Sequence, residues 1–131
     1  MYETEHFKYG TSDKLACPCG ACGNKGLKRP FLDVLEAARV RANIPFRITS
    51  GYRCESYQDL LRSQGYETAN GTSPHSKGVA VDIGTKNGEE RFAIIRALLT
   101  VGFNRLGIGS NFLHVDMDRD RLSKYIWHYK R

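Results

Sequence analysis

The sequence predicts an α+β domain with a small, mostly antiparallel sheet and flanking helices. Apolar residues recur at helical spacing in segments 30–42 and 89–101. Short apolar runs that alternate with period two occupy 46–50, 79–83 and 112–117. Glycines interrupt the chain between the later strands, as expected where strands are joined by turns.

An irregular lead-in is predicted for residues 1–29, because this segment combines several glycines and three cysteines with weak periodicity. Pro30 begins the first helix, where its missing N–H would have no partner in any case. Pro45 ends that helix. The further predicted elements are a strand at 46–50, a helix at 56–63, a loop at 65–76, a strand at 79–83, a helix at 89–101, strands at 105–108 and 112–117, and a polar C-terminal segment at 119–131 with a helical turn and a strand. In the helix at 89–101 we expect one core-facing side, formed by Phe92, Ile95, Leu98 and Leu99.

The composition is that of one globular domain over residues 1–131. Of the 131 residues, 40% are apolar and 26% charged, which excludes a disordered or fibrous chain. No apolar run approaches the roughly 18 residues of a membrane span. No signal peptide is visible at the N-terminus, so we expect synthesis in the cytoplasm, and we expect a monomer. The net charge of +6 favours an anionic partner, and its dispersal argues against a nucleic-acid arm.

The four cysteines predict a structural tie between the lead-in and a later segment. Cys17, Cys19 and Cys22 follow one another closely, and Cys54 lies far along the chain. A zinc knot, disulfides and free thiols all remain open, since the spacing differs from paired C-x-x-C units and no signal peptide indicates an oxidising compartment.

Two predicted strands each carry aliphatic side chains on one face and polar ones on the other. In the strand at 79–83, Asp82 faces away from the β-branched residues. In the strand at 112–117, His114 and Asp116 face away from the aliphatic residues. The polar faces of both strands are therefore expected to border a cleft.

Together with His75 in the preceding loop, these strands offer a candidate metal site. His75, Asp82 and His114 supply two imidazoles and one carboxylate. Such a set holds Zn²⁺ in catalytic sites and leaves a fourth position for water. The alternative is that these residues are ordinary solvated side chains.

Three motifs carry a resemblance to a known family. The segment S-P-H-S-K-G-V-A-V-D-I at 73–83 resembles the S-x-H-x-x-G-x-A-x-D-[IL] signature of the zinc D-Ala-D-Ala carboxypeptidases, peptidase family M15. I-T-S-G-Y-R at 48–53 and H-V-D at 114–116 resemble two further motifs of that family, in the expected order. The similarity spans about residues 30–129 and indicates the short branch of phage cell-wall enzymes and bacterial murein endopeptidases, which often has a lead-in like that at 7–23. The resemblance implies the hedgehog/carboxypeptidase type of α+β fold.

The resemblance also implies roles for individual residues. His75, Asp82 and His114 correspond to the zinc ligands. Arg53 corresponds to the arginine that binds a peptide carboxylate, and its guanidinium could also polarise the scissile carbonyl. The position of the general base in several branches, three residues before the last histidine, holds Asn111, which cannot accept a proton.

Other side chains receive roles by proximity to these motifs. Asp116 is the nearest replacement for the missing base, or it orients a ligand histidine. Ser73 is expected to bond either its own loop or substrate, and Tyr52 is expected to line the cleft and contact substrate. Trp127 and Tyr129 resemble the aromatic end of the family, with core packing as the expected role and cleft lining as the alternative.

The resulting hypothesis is a Zn²⁺-dependent peptidase that acts on peptidoglycan at the cell wall or periplasm, with D-Ala bonds as the expected target. One alternative is an endolysin-type endopeptidase that cleaves L-Ala-D-Glu bonds. Another is a non-catalytic zinc-bearing module that binds the wall or a partner protein, which Asn111 keeps open.

Overall fold

The computed structural model describes residues 1–11, 13–20, 22, 26–67 and 72–130. The described residues form three helices and five strands, which confirms the predicted α+β class. In chain order these are α1 (Arg29–Ala42), β1 (Arg47–Ser50), α2 (Glu55–Ser63), β2 (Ala80–Gly84), α3 (Gly88–Thr100), β3 (Arg105–Ile108), β4 (Phe112–Asp116) and β5 (Tyr125–His128). The middle of the predicted 65–76 loop, residues 68–71, lies outside the described residues.

The five strands form one sheet in the order β1-β2-β4-β3-β5. The pairings β1–β2, β2–β4 and β4–β3 are antiparallel, and β5 pairs with β3 in parallel. The sheet is therefore mostly antiparallel, as predicted. In the described residues after β4, the expected C-terminal helical turn is absent, and turns and bends lead into β5 instead.

A single core joins the helices to one face of the sheet. Helix α1 contributes Phe31, Leu32, Leu35 and Ala38, all fully buried. The strands contribute Ile48, Val81, Ile83, Leu106, Leu113 and Val115. Burying an aliphatic or aromatic side chain of this size stabilises the fold by about 1.5–3 kcal/mol. Since strand side chains alternate, this core leaves the opposite face of β2 and β4 for polar groups.

Helix α3 buries only part of the predicted side, namely Leu98 fully and Ile95 partly. Its buried residues are Ile94, Ala97 and Leu98. Phe92 is 65% exposed and Leu99 45% exposed, so their predicted core positions are wrong. Apolar residues occur on several sides of this helix, and packing against α1 decides which side is covered.

The lead-in is irregular, as predicted, but it also belongs to the core. Phe7, Leu15 and Leu27 are buried there. Backbone and side-chain bonds join this segment to β1, since the Lys14 N–H donates to the Ile48 carbonyl at 3.0 Å. In the described part of the chain, no helix combines the length and apolarity needed to cross a membrane.

Candidate metal centre and cleft

Strand pairing brings Asp82 and His114 together. Asp82 on β2 lies directly opposite His114 on β4 in the antiparallel register. Opposed side chains on one sheet face have Cβ atoms about 4.5–5.5 Å apart. The Nδ1 of His114 lies 3.0 Å from Oδ1 of Asp82. The polar face predicted from the alternation is therefore the face on which the candidate site forms.

His75 reaches the same carboxylate from a tight turn before β2. Its Nε2 lies 3.4 Å from Oδ1 of Asp82. The turn is shaped by Ser73, whose Oγ accepts the His75 backbone N–H at 3.2 Å, and by Gly78 at φ +74°. A Cβ on Gly78 would lie 2.8 Å from the Gly26 carbonyl, so the turn requires glycine both for its φ and for this close approach.

Each histidine is held by its other ring nitrogen. His75 donates from Nδ1 to the Gly51 carbonyl at 2.7 Å, and His114 donates from Nε2 to Asp116 Oδ2 at 2.7 Å. The remaining nitrogens, His75 Nε2 and His114 Nδ1, both face Asp82. Metal-binding histidines in proteins are oriented by such outer hydrogen bonds.

These three residues therefore fit a metal ion. Each of them offers one ligand atom, and the three atoms lie within 4.8 Å of one another. Two imidazole nitrogens and one carboxylate oxygen form a donor set that suits Zn²⁺ and leaves a fourth position for water or substrate.

Burial and neighbouring charges set the protonation of the site. Burial alone would raise the pKa of Asp82, but His75 and His114 hold that pKa well below its usual range. Burial alone would lower the pKa of His114, whereas its bonds to Asp116 and Asp82 raise that pKa to about 9. Burial dominates at His75 and lowers its pKa. The site thus holds an ionised carboxylate beside the two imidazoles.

Asp116 is hydrogen-bonded to His114 and is nearly fully buried. While its Oδ2 accepts from His114, its Oδ1 accepts from Arg105 Nε at 2.7 Å and from the Asp118 N–H at 3.0 Å. Both carboxylate oxygens are therefore engaged. This geometry favours the orienting role over the general-base role that the sequence also left open for Asp116.

Arg53 lies beside the candidate metal ligands. Its Nη2 donates to Asp82 Oδ2 at 3.0 Å, which leaves Oδ1 directed at the two histidines. Its Nε donates to Ser50 Oγ at 2.7 Å and its Nη1 to Gln58 Oε1 at 3.2 Å. The guanidinium therefore clamps the carboxylate at the edge of a cleft of about 1110 Å³.

The structure separates the two residues that were expected to contact substrate. Ser73 lies in the cleft wall, but it is buried and its Oγ shapes the His75 turn. Tyr52 is 8% exposed within the core, and the described residues that line the cleft do not include it. Burial and the nearby cysteines raise the pKa of Tyr52. The structure therefore places Tyr52 between the core and the cysteines.

The C-terminal aromatic residues line the cleft. The ring of Trp127 lies 5.5 Å from that of His114, centre to centre, and that of Tyr129 lies 6.5 Å from it. Cleft lining, the alternative role, thus describes Trp127 and Tyr129 better than core packing. Burial raises the pKa of Tyr129 to about 12, so its phenol stays neutral.

Two contacts of the candidate site were not predicted from the sequence. Arg105 holds Asp116, and its guanidinium lies 5.0 Å from the Trp127 ring centre. The Gly51 carbonyl orients His75. A backbone carbonyl has no sequence signal, and Arg105 meets Asp116 only because β3 and β4 are neighbours.

The chain is similar to one known protein family. The family model described as Peptidase M15 matches residues 6–116, most of the chain. No significant match was found among curated proteins.

Proposed function

Because the chain belongs to the peptidase M15 family, we propose that it is a zinc metallopeptidase that hydrolyses peptide bonds of bacterial peptidoglycan. The observation that carries the proposal is the convergence of His75 Nε2, Asp82 Oδ1 and His114 Nδ1 within 4.8 Å at an open cleft. The expected site of action is the cell wall or periplasm.

The three converging residues would hold Zn²⁺. When bound, this ion polarises the scissile carbonyl and lowers the pKa of a coordinated water toward 7. Gly51 and Asp116 fix the two histidine rings, and Arg53 fixes the carboxylate. The ligands are thus preorganised by partners outside the donor set, which lowers the entropic cost of assembling the site.

Arg53 has a second proposed role toward the substrate. A guanidinium carries five N–H donors, and three of its N–H groups bind Ser50, Gln58 and Asp82. The further donors are available at the cleft edge for a stem-peptide carboxylate or for the developing oxyanion. The basic side chains that line the cleft besides Arg53 are Lys14, Arg105 and Arg121. Acidic side chains line the same cleft, and Arg105 and Arg121 are ion-paired with Asp116 and Asp118. Lys14 and Arg53 are therefore the cations proposed to meet the carboxylates of peptidoglycan stems.

The proposed target is a bond next to D-Ala, in the stem or in a cross-link. The L-Ala-D-Glu bond is the alternative target, since both bonds lie near free carboxylates.

A different function, without catalysis, is favoured by one observation. Asn111 lies exposed at the cleft, where a proton acceptor is expected, and its amide cannot serve as one. A zinc-bearing module that binds the wall without cleaving it is therefore the second candidate.

Digestion of purified peptidoglycan separates these functions. Wild type is expected to release peptide fragments whose masses identify the bond, and His114→Ala is expected to release none. His128→Ala is the matched control, because His128 is exposed on β5. Circular dichroism establishes that the variants fold. Binding of wild type to the wall without any fragments would favour the non-catalytic module.

A further inference from the structure

We propose that Cys17, Cys19, Cys22 and Cys54 bind a second metal ion, a structural Zn²⁺, which holds the loop at 51–54 in place beside the catalytic residues. The positioning part of this inference rests on the proposed function. The metal site itself does not, because it is formed by other residues.

The distances between the sulfur atoms fit a shared ion. The Sγ of Cys17 lies 3.5 Å from that of Cys19 and 3.6 Å from that of Cys54, and Cys19 and Cys54 are 3.7 Å apart. Cys22 offers its sulfur within 4.8 Å of the other three. A tetrahedral ion with Zn–S bonds of about 2.3 Å separates its sulfurs by about 3.8 Å. A disulfide would need about 2.05 Å between its two sulfurs, which is much shorter than these three distances.

The surroundings of the sulfurs also favour a cation. Cys17 is buried, so a thiolate there needs a positive partner. Two backbone N–H groups already point at sulfur: that of Cys54 donates to Cys17 Sγ at 3.3 Å, and that of Tyr57 donates to Cys54 Sγ at 3.4 Å. Four thiolates form a closed, soft donor set that selects Zn²⁺ and leaves no position for water.

The cysteine cluster is connected to the catalytic residues through few bonds. Cys54 directly follows Arg53, which clamps Asp82. On the other side of the loop, the Tyr52 N–H donates to the Leu15 carbonyl at 2.9 Å, two residues before Cys17. A Cβ on Gly51 would lie 2.6 Å from that same carbonyl, so lead-in and loop are in close contact.

The same loop holds His75 at two points. The Gly51 carbonyl accepts from His75 Nδ1 at 2.7 Å, and the Arg53 N–H donates to the His75 carbonyl at 3.3 Å. An ion that joins the lead-in to Cys54 therefore fixes both ends of a loop that orients His75 and Asp82. Loss of the ion is expected to loosen these contacts, which typically changes metal affinity by about 10–100-fold.

Metal content and cobalt spectroscopy test the site. Protein purified under reducing conditions should contain about two Zn²⁺ per chain, by the ligand counts of structural and catalytic sites. The Cys19→Ser/Cys22→Ser variant and His114→Ala should each contain about one. With Co²⁺, wild type and His114→Ala should both show sulfur-to-cobalt charge-transfer absorption, and the cysteine variant should lack it. In that variant, Zn²⁺ bound at His75, Asp82 and His114 should also bind about 10–100-fold more weakly.

The outcomes distinguish the two proposals. If wild type shows the sulfur–cobalt absorption but cleaves no peptidoglycan, the cysteine site stands and the proposed function fails. If folded wild type without chelator reacts with a thiol reagent at all four cysteines, or has lost thiols to disulfides, the cysteine site is overturned even when the protein is active. The sulfur–cobalt absorption and the thiol reaction are both measured on wild type, so they test the cysteine site even if the cysteine variant does not fold. Unchanged Zn²⁺ affinity at the histidine site of a folded cysteine variant would overturn the positioning role.

Discussion

The cysteine cluster (Cys17, Cys19, Cys22 and Cys54) and the histidine cluster (His75, Asp82 and His114) differ in ligand number and in surroundings. The cysteine cluster offers four sulfurs, with backbone N–H groups around them. The histidine cluster offers three ligands from β2, β4 and a turn, beside an open cleft. A closed set of four ligands suits a structural ion, whereas three ligands beside a cleft leave room for a reaction. Ligand number and access to solvent thus predict different consequences for the loss of each cluster.

The largest effect is expected at the histidine cluster. Asp82→Asn removes the charge that the two imidazoles and Arg53 share, and it should lower kcat/KM on peptidoglycan fragments by at least about 10³-fold. The Co²⁺–sulfur absorption should persist, because the cysteine cluster is untouched. Asp120→Asn, at an exposed carboxylate, is the control. Activity within tenfold of wild type would contradict the assignment of Asp82 as a ligand.

The cysteine cluster should affect stability more than chemistry. Cys17→Ser removes a buried ligand of the proposed structural ion and should lower the free energy of unfolding by about 3–5 kcal/mol. Denaturant unfolding with and without a chelator measures the effect. In wild type the chelator should destabilise the protein, and in Cys17→Ser its effect should be much smaller. A chelator effect of equal size in both would assign the stabilisation to the histidine cluster instead.

A smaller effect is expected at Asp116, which contacts the histidine cluster. If Asp116 orients His114, Asp116→Asn should weaken Zn²⁺ binding by about 10–100-fold. The measurement is a competition titration with a chromophoric chelator, and Asp120→Asn again serves as the control. A general base would behave differently, since its loss would lower kcat by about 10²–10⁴-fold at unchanged Zn²⁺ affinity. That second pattern would reverse the assignment of Asp116.

The smallest effect is expected at Glu36, which lies outside both clusters and serves as a reference for them. Burial opposes ionisation of Glu36, but hydrogen bonds from the backbone N–H and the imidazole of His6 keep its pKa below the usual value. A lowered folded-state pKa stabilises the protein above the unfolded-state pKa of about 4.3, and this stability is lost as the pH falls through the folded-state value. Glu36→Gln should therefore cost about 1 kcal/mol at pH 7 and less below pH about 4.

Denaturant unfolding at several pH values checks this, with the chelator present so that metal release does not contribute. Glu89→Gln, at an exposed position in the first turn of α3, is the control and should change stability by a few tenths of a kcal/mol. A destabilisation by Glu36→Gln that grows as the pH falls would contradict the sign.

Local patterns were sufficient for most elements, because their signals involve neighbouring residues. Helix α1 begins one residue before Pro30 and ends at Ala42, with Asn43 in the left-handed region as its cap, so the helix stops before Pro45. The alternation in β2 and β4 placed Asp82 and His114 on one polar face, and their pairing confirms that face. Helix α3 shows the limit, because several of its sides are apolar and only packing against α1 selects the buried one.

The residue types of both clusters, and the motifs shared with the M15 family, are properties of the sequence alone. Alternation and turn signals also specify which faces of β2 and β4 are polar, since they depend on backbone geometry over a few residues. Only the tertiary structure decided that Asp116 supports His114, that Tyr52 lies in the core, and that Trp127 and Tyr129 line the cleft. Those outcomes depend on which distant segments become neighbours, and strand order and helix packing determine this through the burial of the whole core.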